Sequence, residues 1–514
     1  MTNTAVQLVT ASSRTATFSV DAHKHFYALD QRLSWSVTKP DGGAVVVRGH
    51  ASSVAFTVSG LEPDQIYDVS IGDTVFTFST KVESALIDIR DFGASPVLED
   101  NAQAIAQAIA AVPVGGTLRI PAGLWNTGPL YLKSHMTLLV EQGAELSSQS
   151  DWTGLHIFPA WHEDGRVLGT WEGVAEPTFA SIINAIDCEG LTITGAGIID
   201  GGGDRGDWWT WPKESRRGAR RPRTLFLSGC RDLTLSGFTV RNSPSWTVHP
   251  VLCDHVLAVD LRIENEPNSP NTDGFNPECC QDVRLIGLFI SVGDDCIAIK
   301  AGKRHSLGGP NRPTERIDIV NCLMERGHGA VVMGSEMSAG VYDINISHCH
   351  FVGTDRGLRI KTRRGRGGEV ANIHVVECRM DNVATPIAVN AFYFCDADGR
   401  SDYVQSRTPL PVTAETPSLS GFTLRNVEVV GAGTAAAVFY GLPEAPIRDV
   451  VIENYHVTFN PDAEPEIAEM ASDLPALRHA GIVAENTHFK TLSGLFPASI
   501  DPTKNDRANA EQLL

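Results

Sequence analysis

Residues 230–237 read CRDLTLSG, residues 253–260 CDHVLAVD and residues 280–287 CQDVRLIG. Each is an eight-residue unit with two apolar side chains one position apart, the alternation of a strand that buries one face. Outward from this stretch the unit recurs as CEGLTITG at 188–195, TERIDIVN at 314–321, VYDINISH at 341–348, VANIHVVE at 370–377, LSGFTLRN at 419–426 and IRDVVIEN at 447–454, usually closing on Gly, Asn or Asp. Successive starts differ by 42, 23, 27, 34, 27, 29, 49 and 28 residues, a basic period in the twenties interrupted by insertions. One unit cannot bury its apolar pair alone, whereas stacked coils can, and this period suits one coil of a parallel β-helix. The expected fold class is therefore all-β, a right-handed parallel β-helix preceded by a small β-sandwich. Leucine-rich repeats have a similar period, but their Leu-x-x-Leu-x-Leu frame is not sustained here, and a βαβ alternation fails for want of helical stretches between the strands.

The sandwich is expected over residues 1–84, where LSWSV (33–37), VAFTV (54–58) and VFTF (75–78) alternate between Gly, Pro and Asp turns. GLEPDQIYDV at 60–69 followed by TVFTFST at 74–80 resembles the end of a fibronectin type III domain, and a spacer or packing role is preferred to sugar binding. The β-helix is expected over 85–462. It opens with DFGA at 91–94 and an apolar-periodic helix at 101–111, NAQAIAQAIAA, suited to closing the open edge of a solenoid. Residues 463–514 are expected to form a C-terminal cap or tail.

A chain of 514 residues that is 42% hydrophobic can bury a large core. It shows no long apolar run and no basic-then-apolar leader at its start, so the expectation is a cytoplasmic protein, periplasmic or secreted if the N-terminus is incomplete. The ten cysteines lie between Cys188 and Cys395 at the edges of strand-like segments and read as buried reduced thiols. A net charge of -19 opposes binding to nucleic acid or an anionic membrane. Two local runs are basic, RRGARRPR at 216–223 and RIKTRRGR at 359–366. A basic pocket on an acidic body suits a carboxylate-bearing substrate, although either run alone also reads as a solvated turn.

A second strand per coil aligns as TDGFNP (272–277), DDCIAI (294–299), HGAVVM (328–333) and RGLRIK (356–361). Stacking puts Asp273, Asp295, Gly329 and Gly357 on one rung, and Asp294, His328 and Arg356 on the preceding one. Period-2 alternation sends Cys296, Ala298, Ala330, Val332, Leu358 and Ile360 inward and leaves Asp273, Asp295, Arg359 and Lys361 facing outward. Breaking a glycosidic bond needs one protonated carboxyl and one carboxylate. Crowded aspartates supply both, because like charges packed together cannot all ionise and one pKa should rise. Arg359 and Lys361 can bind a sugar carboxylate. Each piece alone is the signature of an ordinary turn; four in register, in order, are not.

These residues resemble glycoside hydrolase family 28, the polygalacturonases, whose four signatures match Asn271-Thr272-Asp273, Gly293-Asp294-Asp295, Gly327-His328-Gly329 and Arg359-Ile360-Lys361. The likeness runs from about Asp91 through His456 and includes GSE at 334–336 and GRGG at 365–368. It implies a pectin lyase-like solenoid that hydrolyses α-1,4-galacturonosyl linkages with inversion. By that likeness Asp294 is the general acid, Asp273 and Asp295 position and deprotonate water, and His328 maintains or orients the acid. Arg359 and Lys361 grip a galacturonate carboxylate beyond the scissile bond, Tyr393 stacks there, and Asn271 fixes the strand-entry turn. His328 favours homogalacturonan over rhamnogalacturonan. Insertions at 151–177 and 303–313, with the fused N-terminal unit, favour exo-action over endo-action. A Ca-dependent pectate lyase, a hydrolase of branched pectin and a non-catalytic polysaccharide-binding β-helix are the alternatives. No motif requires a cofactor or a metal, the expected partner is an anionic galacturonan, and no oligomeric state is specified.

Overall fold

In the computed structural model, residues 5–40, 43–304 and 312–496 are described. The chain begins with seven strands in two antiparallel sheets. The first has order β1-β2-β5, from β1 (Val6–Ala11), β2 (Thr15–Val20) and β5 (Ala55–Ser59), and the second has order β4-β3-β6-β7, from β3 (Ala28–Thr38), β4 (Val45–Ser53), β6 (Ile66–Ile71) and β7 (Thr74–Ser79). Phe18, Val37, Val58, Tyr67, Val69 and Phe78 fill the space between them. This unit packs against the outside of the solenoid, where Ala55 meets Val259 and Ile286. The Asn321 amide ties its 22–26 turn by donating to the carbonyls of Ala22, His25 and Phe26 at 2.9, 2.7 and 2.9 Å.

The remainder is a parallel solenoid with a 21-stranded sheet, and its register follows the eight-residue units rung by rung. Leu233 pairs with Val256, Val256 with Val283, Val283 with Ile317, Ile317 with Ile344, Ile344 with Ile373 and Ile373 with Phe422. All seven are buried. The polar third residue of each unit has a backbone reason. Asp232, His255, Asp282, Arg316, Asp343, Asn372 and Asp449 all have φ between 55° and 60°, as Gly190 and Gly421 do at 63° and 71°. That left-handed conformation favours Gly, Asn and Asp. Cys188, Cys230, Cys253 and Cys280, which open four of the units, are buried free thiols; of the ten cysteines only Cys395 is partly exposed. The α1 helix (Ala102–Ala111) packs Ile105, Ala108 and Ile109 onto the first coil.

The solenoid extends past the expected boundary at 462. After a loop over 463–478, Ala480–Glu485 and Thr487–Leu495 pair in parallel with Ala435–Tyr440 and Ile447–Phe459 and form a further coil, while residues 497–514 of the expected cap or tail lie outside the described residues. That loop returns to the site described next.

Candidate active site

The site lies where two parallel sheets meet along one face. A four-stranded sheet ends at Val248–Val251, and a six-stranded sheet begins with β8 (Asp295–Ile299), followed by β9 (Gly329–Gly334), β10 (Arg356–Lys361) and β11 (Thr385–Asn390). Between them the TDGFNP segment forms no strand and is held by single bridges at Phe275 and at Glu278 just after it. Phe275 opposes Ile297 and Asp295 opposes Gly329, as the sequence alignment expects.

Two details differ from the expectation. Val332, not Val331, opposes Arg359, and Ala298 and Val332 lie outside the main core while Ile297 and Val331 lie within it. The strict period-2 reading fails because Cys296 and Ile297, and likewise Ala330 and Val331, both reach the interior in succession. Beyond that skip the phase reverses, and β10, where Leu358 and Ile360 alternate inward without a skip, falls one residue out of step with the alignment.

All eight candidate residues, Asn271, Asp273, Asp294, Asp295, His328, Arg359, Lys361 and Tyr393, line one hollow of about 330 Å³. The three aspartates differ in depth. Side-chain exposure is 4% for Asp273, 2% for Asp295 and 22% for Asp294. Asp294 stands at the mouth, with Oδ1 3.3 Å from His328 Nδ1 and accepting the Asp295 N–H at 2.9 Å. Asp295 Oδ2 accepts from Lys361 Nζ at 2.7 Å, while its buried Oδ1 has no hydrogen-bond partner among the described residues. Gly329 leaves that oxygen open: a Cβ there would meet Asp295 Oδ1 at 3.3 Å and Val332 Cγ2 at 2.5 Å. Asp273 Oδ2 accepts from the Asn276 amide at 2.8 Å and lies 3.7 Å from Lys300 Nζ.

Burial, and then the charge of Asp294, push the Asp273 carboxyl up to about 7. Burial alone would raise Asp294 too, but the hydrogen bond and charge of His328, with Lys361 and Lys300 behind, hold it below the ordinary carboxylate range. Its hydrogen bond to Asp294 in turn lifts His328 to about 9. Burial thus favours the protonated form of Asp273, and the shared proton of the His328–Asp294 pair is favoured on the imidazole. A carboxyl whose folded value lies above its unfolded value stabilises the fold at low pH, and that contribution is lost as pH rises through the folded value. Asp273→Asn is therefore expected to stabilise the protein more at pH 8 than at pH 5, by about 3 kcal/mol, the part of the shift that lies above pH 5. Unfolding midpoints at the two pH values measure this, and an unchanged difference between variant and wild type would contradict it.

The cations are more committed than the sequence implies. Arg359 Nε and Nη2 grip Glu469 at 2.8 and 2.5 Å, and its Nη1 lies 3.8 Å from Asp295. Tyr393 lies under both cations, with Arg359 5.6 Å and Lys361 Nζ 5.5 Å from its ring centre. Its neighbour Phe392 is buried in the core, and Phe394 lines the hollow. Asn271 adopts φ 57° in the turn that leads into the TDGFNP segment and accepts from the buried Arg221 at 2.7 Å. Neither basic run is a free anion trap. In the first, Arg216 pairs with Asp207 and Arg220 with Glu176, while Arg223 packs over Trp171 and Trp246. In the second, Arg363 and Arg366 reach Asp396 and Arg364 holds Glu444.

Sequence reasoning passed over several lining groups. Lys300, one residue beyond β8 on the face of Ala298, sits 3.1 Å from Glu336 and 4.7 Å above Trp246. Strict alternation would have sent it inward with Ala298, and only the skip at Cys296–Ile297 brings it to the site face. Glu469 had no signal, because its loop has no repeat. The 151–177 insertion does reach the hollow. Its hairpin, Thr170–Trp171 with Val174–Ala175, contributes Glu172 to the lining, and Trp171 stacks on Trp246 with rings 6.1 Å apart and 7° from parallel. The hairpin tip is fastened by the Glu172–Lys213 ion pair and by the Lys303 N–H donating to the Gly173 carbonyl at 3.1 Å. The second expected insertion falls largely on residues 305–311, outside the described residues.

Comparison with known proteins places this geometry. The model of glycosyl hydrolases family 28 matches residues 165–462, more than half of the chain. A probable polygalacturonase of Vitis vinifera is 31% identical over 345 residues, 66% of this chain and 66% of that protein. An exo-poly-alpha-D-galacturonosidase of Dickeya chrysanthemi is 28% identical over 70% of this chain and 64% of its own length. The matched segments thus span about two thirds of those relatives. The family 28 exopolygalacturonase of Yersinia enterocolitica, at 21% identity, shares the fold over 97% of both chains with a TM-score of 0.69. With this match to the family model over the coils that carry the aspartates, the chain belongs to glycosyl hydrolases family 28.

Proposed function

We propose that the protein hydrolyses α-1,4-galacturonosyl linkages of homogalacturonan or its oligomers by an inverting single displacement, acting from a chain end. The observation that carries this reading is the division of labour among the three aspartates. Asp294, the most exposed and 3.3 Å from the His328 imidazole, is placed to deliver a proton to the leaving oxygen. Asp295, deeper and kept as an acceptor by Lys361, offers its open Oδ1 to a water, with Asp273 beside it. Proton transfer within the His328–Asp294 pair lets Asp294 act as the acid although it is ionised at rest. Lys361, with Arg359 beside it over Tyr393, supplies positive charge for a uronate carboxylate.

Exo-action is supported by the fastened 170–175 hairpin, which puts a wall of Glu172, Lys213 and Trp246 at one end of the hollow. Strand orders β1-β2-β5 and β4-β3-β6-β7 support reading residues 1–84 as a fibronectin type III-like unit. None of its described residues lines the hollow, which suits a packing role. Digestion of polygalacturonate tests the reading: mono- or digalacturonate is expected from the earliest time points, with slow loss of viscosity. A ladder of long oligomers with rapid viscosity loss would make the enzyme endo-acting, and no cleavage of any galacturonan would overturn the assignment.

A further inference from the structure

Beyond Tyr393 the hollow does not end. Phe394 and Met470 form a ridge shared with a second hollow of about 470 Å³, also lined by Arg356, Arg400, Ile467 and Asp473. Its floor is the 463–478 loop, and that loop is held in place. Arg356 Nε donates to the Ala468 carbonyl at 3.0 Å, Asn390 Nδ2 to the Met470 carbonyl at 3.1 Å, and the Phe394 N–H to the same carbonyl at 3.2 Å. Glu469, from the same loop, is bound to Arg359 in the first hollow. The two hollows thus share both a ridge and a rigid wall.

The chemistry of the second hollow matches the repeat of the substrate proposed above. Met470 and Ile467 are 36% and 52% exposed, an apolar surface of the kind that packs against the C–H face of a sugar ring. Arg400 is exposed, lies 3.9 Å from the Phe394 ring centre and has no ion-pair partner among the described residues. Of the two lining carboxylates, Glu469 is committed to Arg359 and Asp473 stands exposed at the rim. A guanidinium resting on an aromatic face and free of carboxylates is preorganised to receive an anion.

We infer that this second hollow is an outer subsite, which receives the galacturonosyl unit next along the chain from the one held by Lys361 and Arg359, with Arg400 taking its carboxylate. The inference rests on the function proposed above. It makes Arg400 a residue that determines preference for chain length, with no contact to the reacting atoms.

The test is kcat and KM for wild type, Arg400→Ala and Arg400→Lys on oligogalacturonides of increasing length. For wild type, kcat/KM should step up at the length that first fills the outer hollow. In Arg400→Ala that step should disappear through a rise in KM of about tenfold, the loss of one charge-assisted contact, with kcat and the shortest cleaved oligomer unchanged. Arg400→Lys should recover part of the step. Because the side chain is exposed, the unfolding midpoint should not move. A change in KM equal at every length, or absent at every length, would overturn the subsite while leaving the hydrolase intact. A wild type that cleaves no galacturonide would remove the functional reading itself.

Discussion

Asp294→Asn is expected to lower kcat about 1,000-fold, within the range of a general acid's contribution, with KM little changed. The amide keeps the oxygen that accepts the Asp295 N–H, so the strand entry should stay in place, but it cannot carry the transferred proton. The pH dependence tests the same point. Because the His328 proton is held up to about 9, the alkaline limb of kcat/KM should lie near that value. In His328→Ala the reservoir is gone and Asp294 titrates as a carboxyl, so the limb should move towards acid. An Asp294→Asn enzyme with more than about a tenth of wild-type kcat would rule it out as the donor.

The second large effect is on stability. Glu469→Ala is expected to destabilise the protein by about 3–5 kcal/mol, since removing one partner of a buried ion pair leaves the other charge uncompensated. Arg359 and Glu469 have side-chain exposures of only 5% and 0%. The released guanidinium has Asp295, 3.8 Å away, as its nearest carboxylate, so activity should fall as well. Glu469→Gln, which keeps the acceptor oxygen but not the charge, should lose less. Unfolding midpoints in urea for the two variants measure this, and a shift corresponding to under about 1 kcal/mol for Glu469→Ala would mean that solvent already screens the pair.

The coils were legible in the sequence for a physical reason. Each repeats an apolar pair behind a left-handed residue, so Asp232, Asp282, Asp343 and Asp449 mark the bend early in each strand as clearly as Leu233 or Val283 mark the interior. The alignment that stacked Asp273 on Asp295 worked because TDGFNP and DDCIAI share the same frame. It slipped between β9 and β10, where alternation skips at Ala330–Val331, a local backbone choice that apolar residues on both sides conceal. The aspartates, His328, Lys361 and Tyr393 were readable from motif and register. Their charge states were not, because the high value of Asp273 depends on burial and on Asp294, and the low value of Asp294 on a His328 contact made only after folding. Glu469 and the second hollow belong to a loop without periodicity, beyond the residues where the repeat ends, and only the folded chain brings them to Arg359.

The most direct test of the central claim is to follow polygalacturonate digestion simultaneously by reducing ends and by the ultraviolet absorbance of unsaturated uronates, with and without EDTA. Hydrolysis by the aspartate cluster predicts reducing ends that accumulate without new absorbance, unaffected by EDTA and lost in Asp294→Asn. Absorbance that rises with the reducing ends and vanishes with EDTA would contradict it, and would mean that the chain eliminates rather than hydrolyses.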